Sequence, residues 1–102
     1  MENKKSINAS VSLQVLPRVE VKNLFPVVDK VIEYIASTGV SYVVGPMETT
    51  MEGDLDTLLD IVKKAQYICI EEGAENVFSY VKINYSNEGV FTIDEKIGKY
   101  QK

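Results

Sequence analysis

The stretch "VSYVVGPMETTMEGD", residues 40–54, decides how the chain folds. "VSYVV" is β-branched and aromatic and reads as a strand. "GP" at 45–46 breaks it. "TTM" at 49–51 is short and β-branched, and reads as the returning strand of a hairpin. "GD" ends that strand and leaves Asp54 in place to cap a helix. The loop and second strand carry three carboxylates (Glu48, Glu52 and Asp54), two threonines and two methionines. A plain surface hairpin needs nothing so particular.

The pattern resolves outward in both directions. In "INASVSLQVL", residues 7–16, Ile7, Ala9, Val11, Leu13 and Val15 alternate with Asn8, Ser10, Ser12 and Gln14. This predicts a strand with one apolar and one polar face, ended by Pro17. In "NLFPVVDKVIEYIASTG", residues 23–39, Leu24, Val27, Val28, Val31, Ile32 and Ile35 recur at helical spacing. Asn23 is the expected N-cap, Pro26 falls in the tolerant first turn, and Gly39 is the stop. Downstream, Leu55, Leu58, Leu59, Val62, Ala65, Ile68 and Cys69 form a second helical stripe closed by Gly73. "NVFSYVKINY", residues 76–85, alternates again, with Val77, Ser79, Val81 and Ile83 on one face and Phe78, Tyr80, Lys82 and Asn84 on the other. Thr92 and Glu95 have the spacing of a capping box, which predicts a short helix from about Ile93.

The order β-α-β-β-α-β is the split βαβ, or ferredoxin-like, arrangement. The expected fold class is α+β. It is a ferredoxin-like βαββαβ sandwich with antiparallel sheet order 4-1-3-2, both helices on one face, and a short C-terminal helix. Residues 1–102 are expected to form a single domain, with a core of about 7–85 and a tail of 86–102. At 102 residues, 45% hydrophobic and 25% charged, the composition is ordinary for one small globular domain. Oligomerisation commonly supplements the buried area of such a domain. The N-terminus has no apolar run of signal length and no stretch reaches transmembrane length. The protein is therefore expected to be soluble and cytoplasmic, with no membrane partner.

Net charge is −4, which argues against nucleic acid as a partner. From residue 31 to 62 there are six acids (Glu33, Glu48, Glu52, Asp54, Asp56 and Asp60) and neither Lys nor Arg. That field suits a small cationic ligand. Histidine is absent, so Ser-His-Asp catalysis and His-based metal sites are impossible. The lone Cys69 can form neither an internal disulfide nor a thiolate metal cluster, and reads as a core residue. A carboxylate pair such as Glu52 with Asp54 could serve acid–base work or a hard metal ion. The cap role accounts for Asp54, however, leaving Glu48 and Glu52 unexplained. The expected protein is not an enzyme and has no metal site.

No helix of the βαββαβ core covers the second sheet face. Ser12 and Gln14 beside Phe78 and Tyr80 there suit a half-wet interface with a second copy of the chain.

"SLQVLP" (12–17), "VIEYIASTGVSYVVGPMETTMEGDLDTLLDIV" (31–62) and "VKINY" (81–85) together resemble the small thiamine-binding protein family. The most specific piece is Pro-Met-x-Thr-x-x-Glu-Gly, here Pro46, Met47, Thr49, Glu52 and Gly53. Where family members continue from the first strand's proline into a small Gly- or Ser/Thr-containing loop, this chain has "PRVEVKN". A ligand contact from that loop is not carried over. The resemblance implies a ferredoxin-like fold, a homodimer or homotetramer, and thiamine or a related pyrimidine bound without chemistry and with no required cofactor. Thiamine's permanent thiazolium charge fits an acidic segment with aromatic neighbours such as Tyr80. Its aminopyrimidine needs donors and acceptors, which Asn8, Ser12, Thr49, Thr50 or Glu52 can supply. Met47 offers an apolar wall, whereas Met51 reads as core.

The expectation is a closed pocket rimmed by Glu52, Thr49 and the first strand's hydroxyls, at or near a subunit interface. Glu52→Gln should then weaken binding tenfold to a hundredfold and change folding little. The alternative is a structural or regulatory homo-oligomer with no small-molecule ligand.

Overall fold

The computed structural model describes residues 7–100. Residues 1–6 and 101–102 lie outside it, and with them the expected outer limits of the domain and the reading of the N-terminus. The chain runs β1 (Ala9–Pro17), α1 (Leu24–Ser37), β2 (Ser41–Val44), β3 (Thr49–Gly53), α2 (Leu55–Glu71), β4 (Val77–Tyr85) and α3 (Ile93–Ile97). The sheet order is β2-β3-β1-β4, all neighbours antiparallel, which is the expected 4-1-3-2 read from the other edge.

Register explains the core. Val11 lies opposite Met51 and Ile83, and Leu13 opposite Thr49 and Val81, so these side chains share one sheet face. Val27, Val31 and Ile35 of α1 pack on that face, as do Leu58, Ile61, Ala65 and Cys69 of α2. Ile61 joins the core although the helical stripe passed over it, and Leu59 points outward at 38% exposure.

The helix ends have local causes. Asp54 Oδ2 accepts from Thr57 N at 3.3 Å and caps α2 as expected. Asn23 does not cap α1 with its side chain. The chain enters α1 through a 3-10 turn over Val21–Asn23, so Asn23 already has helical backbone angles rather than the extended ones an N-cap side chain needs. Gly39 and Gly73, with φ of +84° and +107°, supply the left-handed exits of α1 and α2.

The hairpin is closed by Gly45 N donating to Glu48 O at 2.9 Å, with Pro46 and Met47 at its tip. A Cβ on Gly45 would sit 3.0 Å from the Glu48 carbonyl oxygen, which is why glycine stands there.

The second sheet face is not wholly bare. The capping box forms as expected, with Glu95 N donating to Thr92 Oγ1 at 3.1 Å and Thr92 N to Glu95 Oε1 at 2.7 Å. The helix it starts, α3, folds back over part of this face. The reading of an uncovered face holds only for the remainder. Among the described residues no helix is long and apolar enough to cross a membrane.

Candidate functional site

The segment from Pro46 to Gly53 is split by the period of a strand. Successive side chains of β3 point to opposite faces. Met51, opposite Val11, is fully buried in the core, and Thr49 follows it to the helix side. Thr50 pairs across with Ser12 and Glu52 with Ser10, so both belong to the other face. Within one chain, Thr49 and Glu52 therefore lie on opposite faces of the sheet, the β1 hydroxyls of Ser10 and Ser12 with Glu52. The residues expected to rim one pocket thus sit in separate places.

On the helix side, a cleft of about 290 Å³ opens between α1 and the β2–β3 hairpin. Its cause is a mismatch of strand lengths. The β1–β3 ladder stops at Leu13↔Thr49, whereas β1 continues beside β4 to Pro17. The edge of β1 beyond Leu13 thus borders open space. Leu13 and Val15 form its sheet wall, and Leu24, Val28 and Ile32 its helix wall. Pro46, Met47 and Thr49 line it from the hairpin, and Asp29 brings a carboxylate to it from α1; Glu48 also borders it, but its carboxylate pairs with Lys82 Nζ at 3.1 Å on the opposite face. Met47 is 71% and Phe25 75% exposed, leaving a thioether and an aromatic ring at the mouth. Such a cleft can hold a flat, largely apolar molecule with a cationic or hydrogen-bond-donating edge.

The sequence held a usable signal for this cleft. The apolar stripe of α1 has two rows. Val27, Val31 and Ile35 are buried in the core; Leu24, Val28 and Ile32 are half-buried and face the cleft. A single row would have sufficed for packing. Phe25, Asp29 and Glu48 were not among the expected site residues.

On the opposite face, α3 covers Glu52 and Ser12. Glu52 is 8% exposed, and its Oε1 accepts from Ile93 N, the first amide of α3, at 2.6 Å. Glu52 is thus neither surface-accessible nor without a capping role, contrary to expectation: it caps a helix that arrives from the far end of the chain. Thr50 is half-buried beside it.

The remaining expected residues lie elsewhere. Asn8, 4% exposed, accepts from Leu55 N through Oδ1 at 3.0 Å and holds the start of α2. Tyr80 lies on the bare end of the second face, cross-strand from Gln14 and 5.5 Å from the Phe78 ring centroid. Cys69 is a core residue as expected, and desolvation raises its thiol above the ordinary cysteine range.

Comparison with known proteins places this geometry. A UPF0045 protein of Clostridium perfringens is 67% identical over 92 residues, covering 90% of this chain and 96% of that one. The solved structure of a domain of unknown function, DUF77, from Bacillus cereus superposes with a TM-score of 0.85 at 48% identity. That match covers 94% of this chain and 92% of the other. A Thermotoga maritima structure, described as that of a candidate thiamine biosynthesis/salvage protein, gives a TM-score of 0.81 at 39% identity, covering 92% and 99%. The family profile described as "Thiamine-binding protein" matches residues 11–101. Fold, motif and a match along most of the length agree, and the chain belongs to the thiamine-binding protein family.

Proposed function

We propose that the protein binds thiamine or a closely related pyrimidine, without transforming it, in the cleft between α1 and the hairpin. The observation that carries this reading is the position of Pro46, Met47 and Thr49, which line a cleft that also holds Asp29 and Glu48. A volume of about 290 Å³ is just below the usual span of small-molecule pockets, roughly 300–1,000 Å³. The apolar walls suit a ring, the Asp29 carboxylate attracts a thiazolium, and the exposed Phe25 ring offers a cation–π face. The description of the Thermotoga relative and the family's name support the same ligand class. Glu48 already holds Lys82 at 3.1 Å, so Asp29 is the carboxylate with the greater freedom to meet a cation. We read binding without a catalytic step here, as the family's name and the chain's lack of histidine suggest.

The protein in this reading works in the cytoplasm as a homodimer or homotetramer. Leu16, Phe78 and Tyr80 support self-association. They are 41%, 64% and 56% exposed and adjoin on the part of the second face that α3 leaves bare. The same patch favours the alternative, a homo-oligomer that takes no small ligand. Calorimetric titration with thiamine, its phosphates and hydroxymethylpyrimidine separates the two. Saturable binding should weaken about tenfold to a hundredfold in Asp29→Asn, the worth of one charge-assisted contact. No binding heat from any of these compounds would leave the ligand-free oligomer. Equal affinity in the variant would move the ligand out of this cleft.

A further inference from the structure

The pocket on the other side of the sheet is a separate object. Between β1–β3 and α3 lies a space of about 270 Å³ with Ser12 and Thr50 on its floor, Val43, Ile93 and Ile97 along its sides, and Glu48, Lys82 and Lys96 around it. Ser12 lies directly opposite both Thr50 and Lys82 in the ladders, so these three side chains form a row across the floor. Ser12 is 7% exposed, and among the described residues its Oγ is the buried side-chain polar atom without a hydrogen-bond partner. Such an orphan costs free energy comparable to a lost hydrogen bond, and alanine would fit the same strand position without it. The charged groups lining the pocket are two ammoniums and one carboxylate. That carboxylate, Glu48, is already held by Lys82 Nζ at 3.1 Å. The balance is positive in a chain whose net charge is −4.

We infer that this pocket binds a small ligand that joins an apolar body to an oxyanion, a carboxylate or phosphate. The oxyanion accepts from the Ser12 and Thr50 hydroxyls and meets Lys82 and Lys96, and the apolar body lies against Val43, Ile93 and Ile97. A cation is disfavoured by the two ammoniums, and a purely apolar guest would leave Ser12 Oγ unpaired. The site lies across the sheet from the thiamine cleft and stands or falls independently of it.

The test is an amide NMR titration of the whole chain with phenyl phosphate and, separately, benzoate. Benzyl alcohol and benzylamine serve as neutral and cationic counterparts. Saturable shifts are expected at Ser12, Thr50, Ile93 and Ile97 with one or both anions and with neither counterpart; the two anion arms decide between phosphate and carboxylate. Ser12→Ala should weaken that binding about tenfold, the worth of one hydrogen bond to a charged group. Its thermal stability should be unchanged or higher, which a structural role for the hydroxyl would not give. Lys96→Gln should weaken the binding as well. Anions that fail to saturate these resonances in the millimolar range, benzylamine binding as well as the anions, or Ser12→Ala binding as tightly as the parent would each overturn the inference.

Discussion

The cleft beside α1 and the pocket beneath α3 are nearly equal in volume, about 290 and 270 Å³, and lie on opposite faces of the same short strand. Their origins differ. The cleft is an absence of pairing. β3 begins at Thr49, so β1 outruns it and α1 has no strand to sit on there. The pocket is an excess of covering, since a polar sheet face is roofed by a helix of five residues that hangs on its own capping box and on Glu52. One motif, Pro46 to Gly53, supplies both, because a strand deals its residues alternately to two faces. Neighbours in sequence along a strand are therefore poor candidates for one binding site, whereas residues two apart, or cross-strand partners, are good ones.

The comparison is broken most forcefully through the side built on the main core. Ile35 is fully buried and also lines the α1 cleft. Ile35→Ala should cost about 2–5 kcal/mol of global stability, the range for truncating a large buried aliphatic residue. Urea unfolding checks this. A loss well under 1 kcal/mol would mean that α1 collapses into the cleft and that the space is not held open by a rigid core.

On the other side, Glu52 is the point to press. Glu52→Ala leaves Ile93 N without its acceptor and empties the place of a buried carboxylate. The expected cost is about 1–3 kcal/mol. It should be read first as faster amide exchange in Ile93–Ile97, because a short terminal helix can open without the core. Glu52→Gln retains an oxygen to accept from Ile93 N and should be milder. Thiamine affinity should hold in both variants, since the carboxylate faces away from the α1 cleft. A tenfold loss of affinity in Glu52→Gln with exchange unchanged would return Glu52 to the ligand and dissolve the distinction between the two sides.

What was legible in the sequence follows the same division. The alternations of β1 and β4, the two helical stripes, the Asp54 cap and the Thr92–Glu95 box all report contacts within a few residues. Those local rules led to the right sheet order and to the right start for α3. The destination of α3 was not legible, because its docking rests on a bond between residues 41 positions apart, Ile93 N to Glu52 Oε1. The bond Asn8 makes was not legible for the same reason: its Oδ1 accepts from Leu55 N, 47 positions away. The separation of Thr49 from Glu52 was available to a reader who applied the period of two to "TTMEG", since Met51 had to face the core. The cleft itself depends on where one strand stops relative to another, and strand ends are weakly encoded by residue type.

The smallest expected effect gives the finest test of how the two sides differ. Thr92→Ala removes the acceptor for Glu95 N but leaves Glu95 able to reach back to Thr92 N. Loss of an N-cap side chain typically costs about 1 kcal/mol. If α3 is a separately opening roof, that cost appears locally. Amides of Ile93–Ile97 should exchange about fivefold faster, as about 1 kcal/mol implies, while the urea midpoint barely moves. Because Thr92 and Glu52 anchor the same first turn, the double variant with Glu52→Ala should cost less than the two singles together: once one anchor is lost and the turn is open, the second has little left to hold. The α1 cleft should be indifferent, with unchanged amide positions at Val28 and Met47. Should Thr92→Ala instead lower the global midpoint by the full amount, α3 unfolds only with the core, and the pocket beneath it is as permanent as the cleft on the other side.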